Sequence, residues 1–195
     1  MPKSMSESMH HFVGEVREIV RAGGTEEEIT ERVAGRLEKM LDEPGLLTVE
    51  QLLVKKEGFT LNQIHIEPDD SFSIGAGIWD VGQTTPIHDH GTWGVIGIFR
   101  GVENEESFRR EGPRVMEGRA SITPAGSRLA KAGDVFVCCT TDQDAHRVSC
   151  ASADPVVGIH VYGGDLAKIP RLQYDAETGE VTLFKTGWDY ARVSA

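Results

Sequence analysis

The spacing of apolar residues changes partway along the chain. Met9, Phe12, Val13, Val16, Ile19 and Val20 recur at the three-to-four spacing of one helix face. Gly23 and Gly24 end that helix. Thr25 is placed to cap a second helix, with Glu26, Glu27 and Glu28 beside the positive end of its dipole. Thr25 and Glu28 have the spacing of a reciprocal capping box. Ile29, Val33, Leu37, Met40 and Leu41 form the second stripe, Pro44 and Gly45 close it, and Thr48 to Lys55 predicts a third short helix. Stripes of this kind bury one face against a neighbour, so these helices are expected to pack rather than catalyse.

From about residue 59 the texture is different. Short runs rich in Val, Ile, Phe and Thr alternate with Gly, Pro, Asp and Asn. They predict strands over 61–67, 71–79, 93–100, 104–109, 116–122, 127–130, 134–139, 145–150, 155–162, 170–175 and 180–184. No helix-length pattern separates them, so a sandwich or barrel is expected rather than a doubly wound parallel sheet. Asp175 to Gly179 reads as a hairpin turn between Leu172–Tyr174 and Val181–Phe184. The expected organisation is one integrated domain: helices over 1–58 packed on a barrel over 59–195.

Composition narrows the partners. The chain has 195 residues, 39% of them hydrophobic and 26% charged, which is ordinary globular composition. No apolar run approaches the roughly 20 residues that span a bilayer, and the first residues lack a secretory signal. The net charge of −11 repels a phosphate backbone, so nucleic acid is not an expected partner. The three cysteines, Cys138, Cys139 and Cys150, lack the spacing of a zinc ribbon or disulfide framework and point to a reducing cytoplasm. Cys138 and Cys139 are expected to be buried as small hydrophobes. The chain is expected to be a monomer or weak homo-oligomer.

Two of the seven histidines stand as His88-Asp89-His90, after the turn-like Gly82 to Ile87 and before the apolar run from Gly91 to Gly101. In a strand, residues i and i+2 share a face, so both imidazoles can converge on one point. Neutral imidazole suits Fe, Zn, Cu and Ni. A third ligand must come from elsewhere, and His146 opens a strand about 55 residues later.

Gly82 to Gly101 resembles the first cupin motif, with an HxH pair and a second glycine eleven residues past His90. Gly133 to His146 resembles the second. The resemblance covers roughly residues 59–175 and implies a mainly β fold, a cupin double-stranded β-helix (jelly-roll barrel) with an N-terminal helical segment. Most cupins carry a glutamate four or five residues after the HxH, where this chain has Gly94 and Val95. Its loss is typical of the thiol dioxygenases, which hold iron with three histidines. Pro86 to Glu103 and Ile159 to Gly163 look like the bacterial branch, the cysteine and 3-mercaptopropionate dioxygenases.

The resemblance then implies roles. His88, His90 and His146 would hold Fe(II), leaving positions for a small thiol and O2. His160 and Tyr162 match the last two members of a Ser-x-His-x-Tyr relay, with Gly158 in the serine position, so a water would replace the missing hydroxyl. No cysteine stands near Gly94, where animal enzymes carry one that crosslinks to the tyrosine. The early-strand arginine of the mammalian type is also absent. Arg171, nine residues after Tyr162, matches the carboxylate-binding arginine of the mercaptopropionate branch. Gln63, or His65, would assist from the early strand, and Trp79 and Trp93 would pack the barrel. Two other readings stay open: a zinc or nickel metallocupin acting as lyase or isomerase, and a non-enzymatic cupin that binds a small ligand.

Overall fold

The computed structural model describes residues 5–55, 57–139, 144–184 and 187–189, excluding the side chains of 138, 139 and 144. The expectation for Cys138 and Cys139 therefore lies outside the described residues. Helix α1 spans Glu7–Ala22 and α2 spans Glu26–Met40. Ser6 caps α1 by accepting from the Met9 amide at 3.2 Å, and Gly23, at φ 69°, turns the chain out of it. The capping box of α2 is complete: the Glu28 amide donates to Thr25 Oγ1, and the Thr25 amide to Glu28 Oε2. The third helix shrinks to one 3-10 turn, Glu50–Leu52. Asn62 Nδ2 ties this turn to the barrel by donating to the carbonyls of Gln51 and Leu53.

Among the described residues twelve strands follow: β1 (Thr60–Ile66), β2 (Ser73–Trp79), β3 (Ile87–His88), β4 (Gly94–Arg100), β5 (Val102–Glu111), β6 (Gly118–Arg119), β7 (Ser121–Lys131), β8 (Val135–Cys139), β9 (Asp144–Cys150), β10 (Val156–Tyr162), β11 (Leu172–Tyr174) and β12 (Glu180–Leu183). One sheet runs β1-β2-β10-β4-β8 and the other β6-β12-β11-β3-β9-β5-β7. From β2 to β5, and again from β7 to β11, the chain alternates between them, so that β10 returns beside β2, β9 beside β3, β8 beside β4 and β7 beside β5. Antiparallel pairing nested in this way is the double Greek key of a jelly roll, the double-stranded β-helix.

Two strand expectations change. The run 116–122 divides between β6, which pairs with β12, and the start of β7, which continues through 127–130, pairs with β5 along its length and absorbs Pro124 and Gly126 in a bulge opposite Ser107 and Phe108. A proline is tolerated there because β7 is an edge strand. The hairpin at Asp175–Gly179 forms as expected, with the Asp175 carboxylate accepting the amides of Glu177 and Thr178.

All seven residues of β2, and all seven of β10, are buried, because each strand is covered on both sides. Ile74, Ala76 and Ile78 join Val157, Ile159 and Val161 in one cluster with Phe12, Val16, Val33 and Leu37 of the helices. Leu37 lies so close over Gly97 that a Cβ there would stand 2.8 Å from its Cδ2. The opposite faces of the same strands point into the barrel, where Trp79, Ile96, Ile98 and Tyr162 gather.

Candidate metal centre

His88 ends β3, and His146 faces it across the β3–β9 pairing. His90 lies past the end of β3, so the HxH is not one regular strand, yet its two rings still converge. The ring centroids of the three histidines lie 4.7–4.9 Å apart, and one nitrogen from each falls within 4.8 Å of the others. Three imidazoles gathered in this way are a donor set suited to one metal ion.

The outward nitrogens set the tautomers. His88 Nδ1 lies 3.0 Å from the Pro86 carbonyl, and His146 Nδ1 lies 2.7 Å from Glu105 Oε1. Each acceptor favours a proton on Nδ1, which leaves the Nε2 lone pair facing inward. His146 Nε2 is buried with no hydrogen-bond partner. An orphaned nitrogen aimed at two neutral imidazoles is what a metal ligand looks like before an ion is placed. Burial holds His88 and His90 well below the usual histidine range, with the neighbouring His146 the next cause. Burial also raises Glu105, but the His146 hydrogen bond and the Arg128 charge outweigh it and hold this carboxyl below its ordinary value.

Beside the trio, His160 Nδ1 lies 2.9 Å from the Tyr162 hydroxyl, which in turn lies 3.4 Å from His90 Nε2. His160 Nε2 is buried with no hydrogen-bond partner among the described residues. A Cβ at Gly158 would stand 2.8 Å from His160 Nε2, and one at its cross-strand partner Gly77 would stand 2.6 Å from the same atom. The ring edge fills the room that side chains at both positions would take.

Arg171 is buried and lines the same cavity, its guanidinium 4.9 Å from the centre of the Phe184 ring. The cavity thus gathers His88, His90, His146, His160, Tyr162 and Arg171. Gln63 is not among its lining residues; β1 contributes Leu61 instead. The register shift between Gln63 and His65 turns the rest of that strand, and His65 faces Glu67 at 2.8 Å, which is itself paired with Arg17 of α1. His65 therefore joins barrel to helix. Trp79 is more than packing: it lines the cavity, stacks on Phe59 and lies 5.5 Å from the His160 ring.

Four residues were not singled out from the sequence: Glu103, Glu105, Asp89 and Arg114. Glu103 lines the cavity, and Glu105 orients His146. Their i, i+2 spacing on a strand of alternating burial is the signal that marks a shared interior face.

No family model matches the chain. Among solved structures, the cupin domain of Schizosaccharomyces pombe Cnp3 is 14% identical over 59% of this chain and 67% of its own, with a TM-score of 0.43. A cupin-like protein from Thermotoga maritima is 14% identical over 64% and 84%, with the same score. A hydroquinone 1,2-dioxygenase, PnpCD, solved with Cd2+ and 4-hydroxybenzonitrile, is 13% identical over 55% and 66%, again at 0.43. The chain therefore spans about two thirds of the length of the first and last of these. The strand order and register carry the fold assignment, and the three histidines form a candidate metal site within it.

Proposed function

We propose that this protein is a non-haem Fe(II) thiol dioxygenase that converts a small carboxylate-bearing thiol, 3-mercaptopropionate or cysteine, into its sulfinic acid. The observation that carries the reading is one cavity holding three converging histidines, a His–Tyr pair and a buried arginine. Both oxygen atoms end on sulfur, so the four electrons that reduce O2 come from the sulfur and no other reductant is needed.

His88, His90 and His146 would hold the iron, which when bound supplies the chemistry that joins O2 to the thiolate. An uncharged donor set leaves the cation's charge uncompensated, which favours a thiolate ligand and lowers the thiol's pKa. Arg171 binds the carboxylate at the other end and fixes how the sulfur is presented, an effect of proximity and orientation. Tyr162, held by His160, offers a hydroxyl beside His90 that donates a hydrogen bond to the reacting oxygens. Leu61, Ile96, Val148 and Leu166 line the remaining wall and exclude water.

The test is anaerobic iron loading followed by O2-electrode assays with 3-mercaptopropionate, cysteine and cysteamine. Thiol-dependent O2 uptake with sulfinate product supports the reading. One observation favours a second reading: Glu103 is a buried carboxyl in the same cavity, with burial and the nearby Glu105 pushing it up to about 8. A carboxyl so placed suits acid–base work in a zinc or nickel lyase or isomerase. Zinc or nickel in the purified protein, with no O2 uptake, decides for it.

A further inference from the structure

Asp89 stands between two of the metal-site histidines, and its carboxylate is saturated by the segment that carries Arg171. The Leu172 amide donates to Oδ1 at 2.8 Å and the Tyr174 hydroxyl to Oδ2 at 2.7 Å. Arg114 adds a bidentate pair, Nε to Oδ2 at 2.8 Å and Nη2 to Oδ1 at 3.0 Å. The same Nη2 reaches the Pro170 carbonyl at 2.6 Å. The Asp89 amide, for its part, donates to the Leu172 carbonyl. Arg171 is thus held by its neighbours on both sides: Pro170 through Arg114, and Leu172 through Asp89. Its own carbonyl accepts the Phe184 amide.

This contact does more than join two strands. β3 and β11 already pair through His88 with Gln173 and Ile87 with Tyr174. The buried carboxylate and its partly buried arginine add a charge-assisted lock just past that ladder, at the point where the chain enters the cavity as His90 on one side and Arg171 on the other. Asp89 is 5% exposed, so these bonds are little weakened by water.

We propose that the Asp89–Arg114 pair is a positioning clamp that fixes the span between the metal ligands and Arg171, and so selects the chain length of the thiol carboxylate. The inference rests on the proposed function for the identity of the ligand, not for the geometry of the clamp. A substrate must place sulfur at the metal and carboxylate at the guanidinium together, so a rigid span favours one number of intervening carbons and a loose span accepts several.

The experiment uses the holoprotein loaded with Co(II) under anaerobic conditions. Dissociation constants for 2-mercaptoacetate, 3-mercaptopropionate and 4-mercaptobutanoate are measured by calorimetry. O2 uptake by iron-loaded protein is measured in parallel. Wild type is expected to prefer one length by at least about tenfold, a difference of about 1.4 kcal/mol. Arg114→Met is expected to compress that preference severalfold with metal content close to wild type and a lowered melting temperature, since it strands the buried Asp89 charge, and Arg114→Lys is expected to restore part of both. Asp89→Asn, if it folds, should act in the same direction. A wild type without length preference, or an Arg114→Met protein that weakens all three ligands by the same factor, overturns the clamp. Absence of O2 uptake with length-selective binding intact counts against the dioxygenase reading and leaves the clamp supported.

Discussion

The Nδ1 atom of His146 lies 2.7 Å from Glu105 Oε1, and the other oxygen of that carboxylate is held by Arg128. This chain of contacts orients the ring from behind and makes its inner nitrogen more basic. Glu105→Gln keeps the shape but gives up the charge. Partners of this kind are worth about 10- to 100-fold in metal affinity. We expect a loss of about tenfold for divalent metal in a chelator competition, with the apo-protein melting temperature little changed. His146→Ala, which removes the ligand itself, should cost more. Equal affinity in Glu105→Gln and wild type would show that the carboxylate serves only the barrel wall.

Gly158 and Gly77 leave the space that His160 occupies, so the proposed relay can be tested without touching its members. A Cβ at Gly158 would approach His160 Nε2 to 2.8 Å and push the ring off the Tyr162 hydroxyl. Gly158→Ala should therefore lower kcat by about 100-fold, the low end of the range for a positioned proton donor, while metal content stays near wild type. Tyr162→Phe should give a comparable loss. Unchanged turnover and coupling in Tyr162→Phe would remove the relay from the mechanism.

Much of this was legible because local rules govern it. The Thr25–Glu28 box, the glycine stop at Gly23 and the apolar stripe through Val33 and Leu37 each depend on residues within a few positions. The HxH survived even the end of β3 at His88, because neighbouring side chains of a short turn stay close. What was not legible depends on pairing across the sheets. Pro124 and Gly126 read as a break, yet β5 supplies a partner along the whole of β7. Glu105 and Asp89 look like solvated charges in the sequence, and only the register that sets Ser107 opposite His146, or Gln173 opposite His88, shows what they hold. Gln63 keeps one register with Leu61 in β1, yet only Leu61 lines the cavity, a difference that strand spacing does not show.

The proposed role of Arg171 makes a carboxylate on the substrate a measurable requirement. Charge-assisted hydrogen bonds to a carboxylate are worth about 1.5–3 kcal/mol, or roughly 10- to 150-fold. Arg171→Met should raise KM for 3-mercaptopropionate by that order and leave cysteamine, which has no carboxylate, nearly unaffected. Arg171→Lys should fall between, since an ammonium cannot make the paired contact. Equal efficiency of wild type on cysteamine and 3-mercaptopropionate would reject the role.

Glu103 predicts an unusual pH dependence of stability. It is 2% exposed, and its Oε2 has no hydrogen-bond partner. Burial first, and the Glu105 charge second, push its carboxyl up to about 8 against the opposing charge of Arg128. Between the ordinary value of 4.5 and this raised one, the unfolded chain is ionised while the folded protein keeps the proton. Folding then takes up a proton, so stability falls as pH rises, by about 1.4 kcal/mol per unit at the steepest. The effect is absent well below 4.5 and levels off above 8. Glu103→Gln fills the same space and does not titrate. The apo-protein variant should therefore gain on apo wild type by on the order of 3 kcal/mol between about pH 5 and 8, read from urea unfolding at each pH. Other titrating groups are common to both proteins and cancel in the difference. A constant difference across that window would mean that Glu103 ionises as an ordinary carboxyl and that its surroundings stabilise the charge.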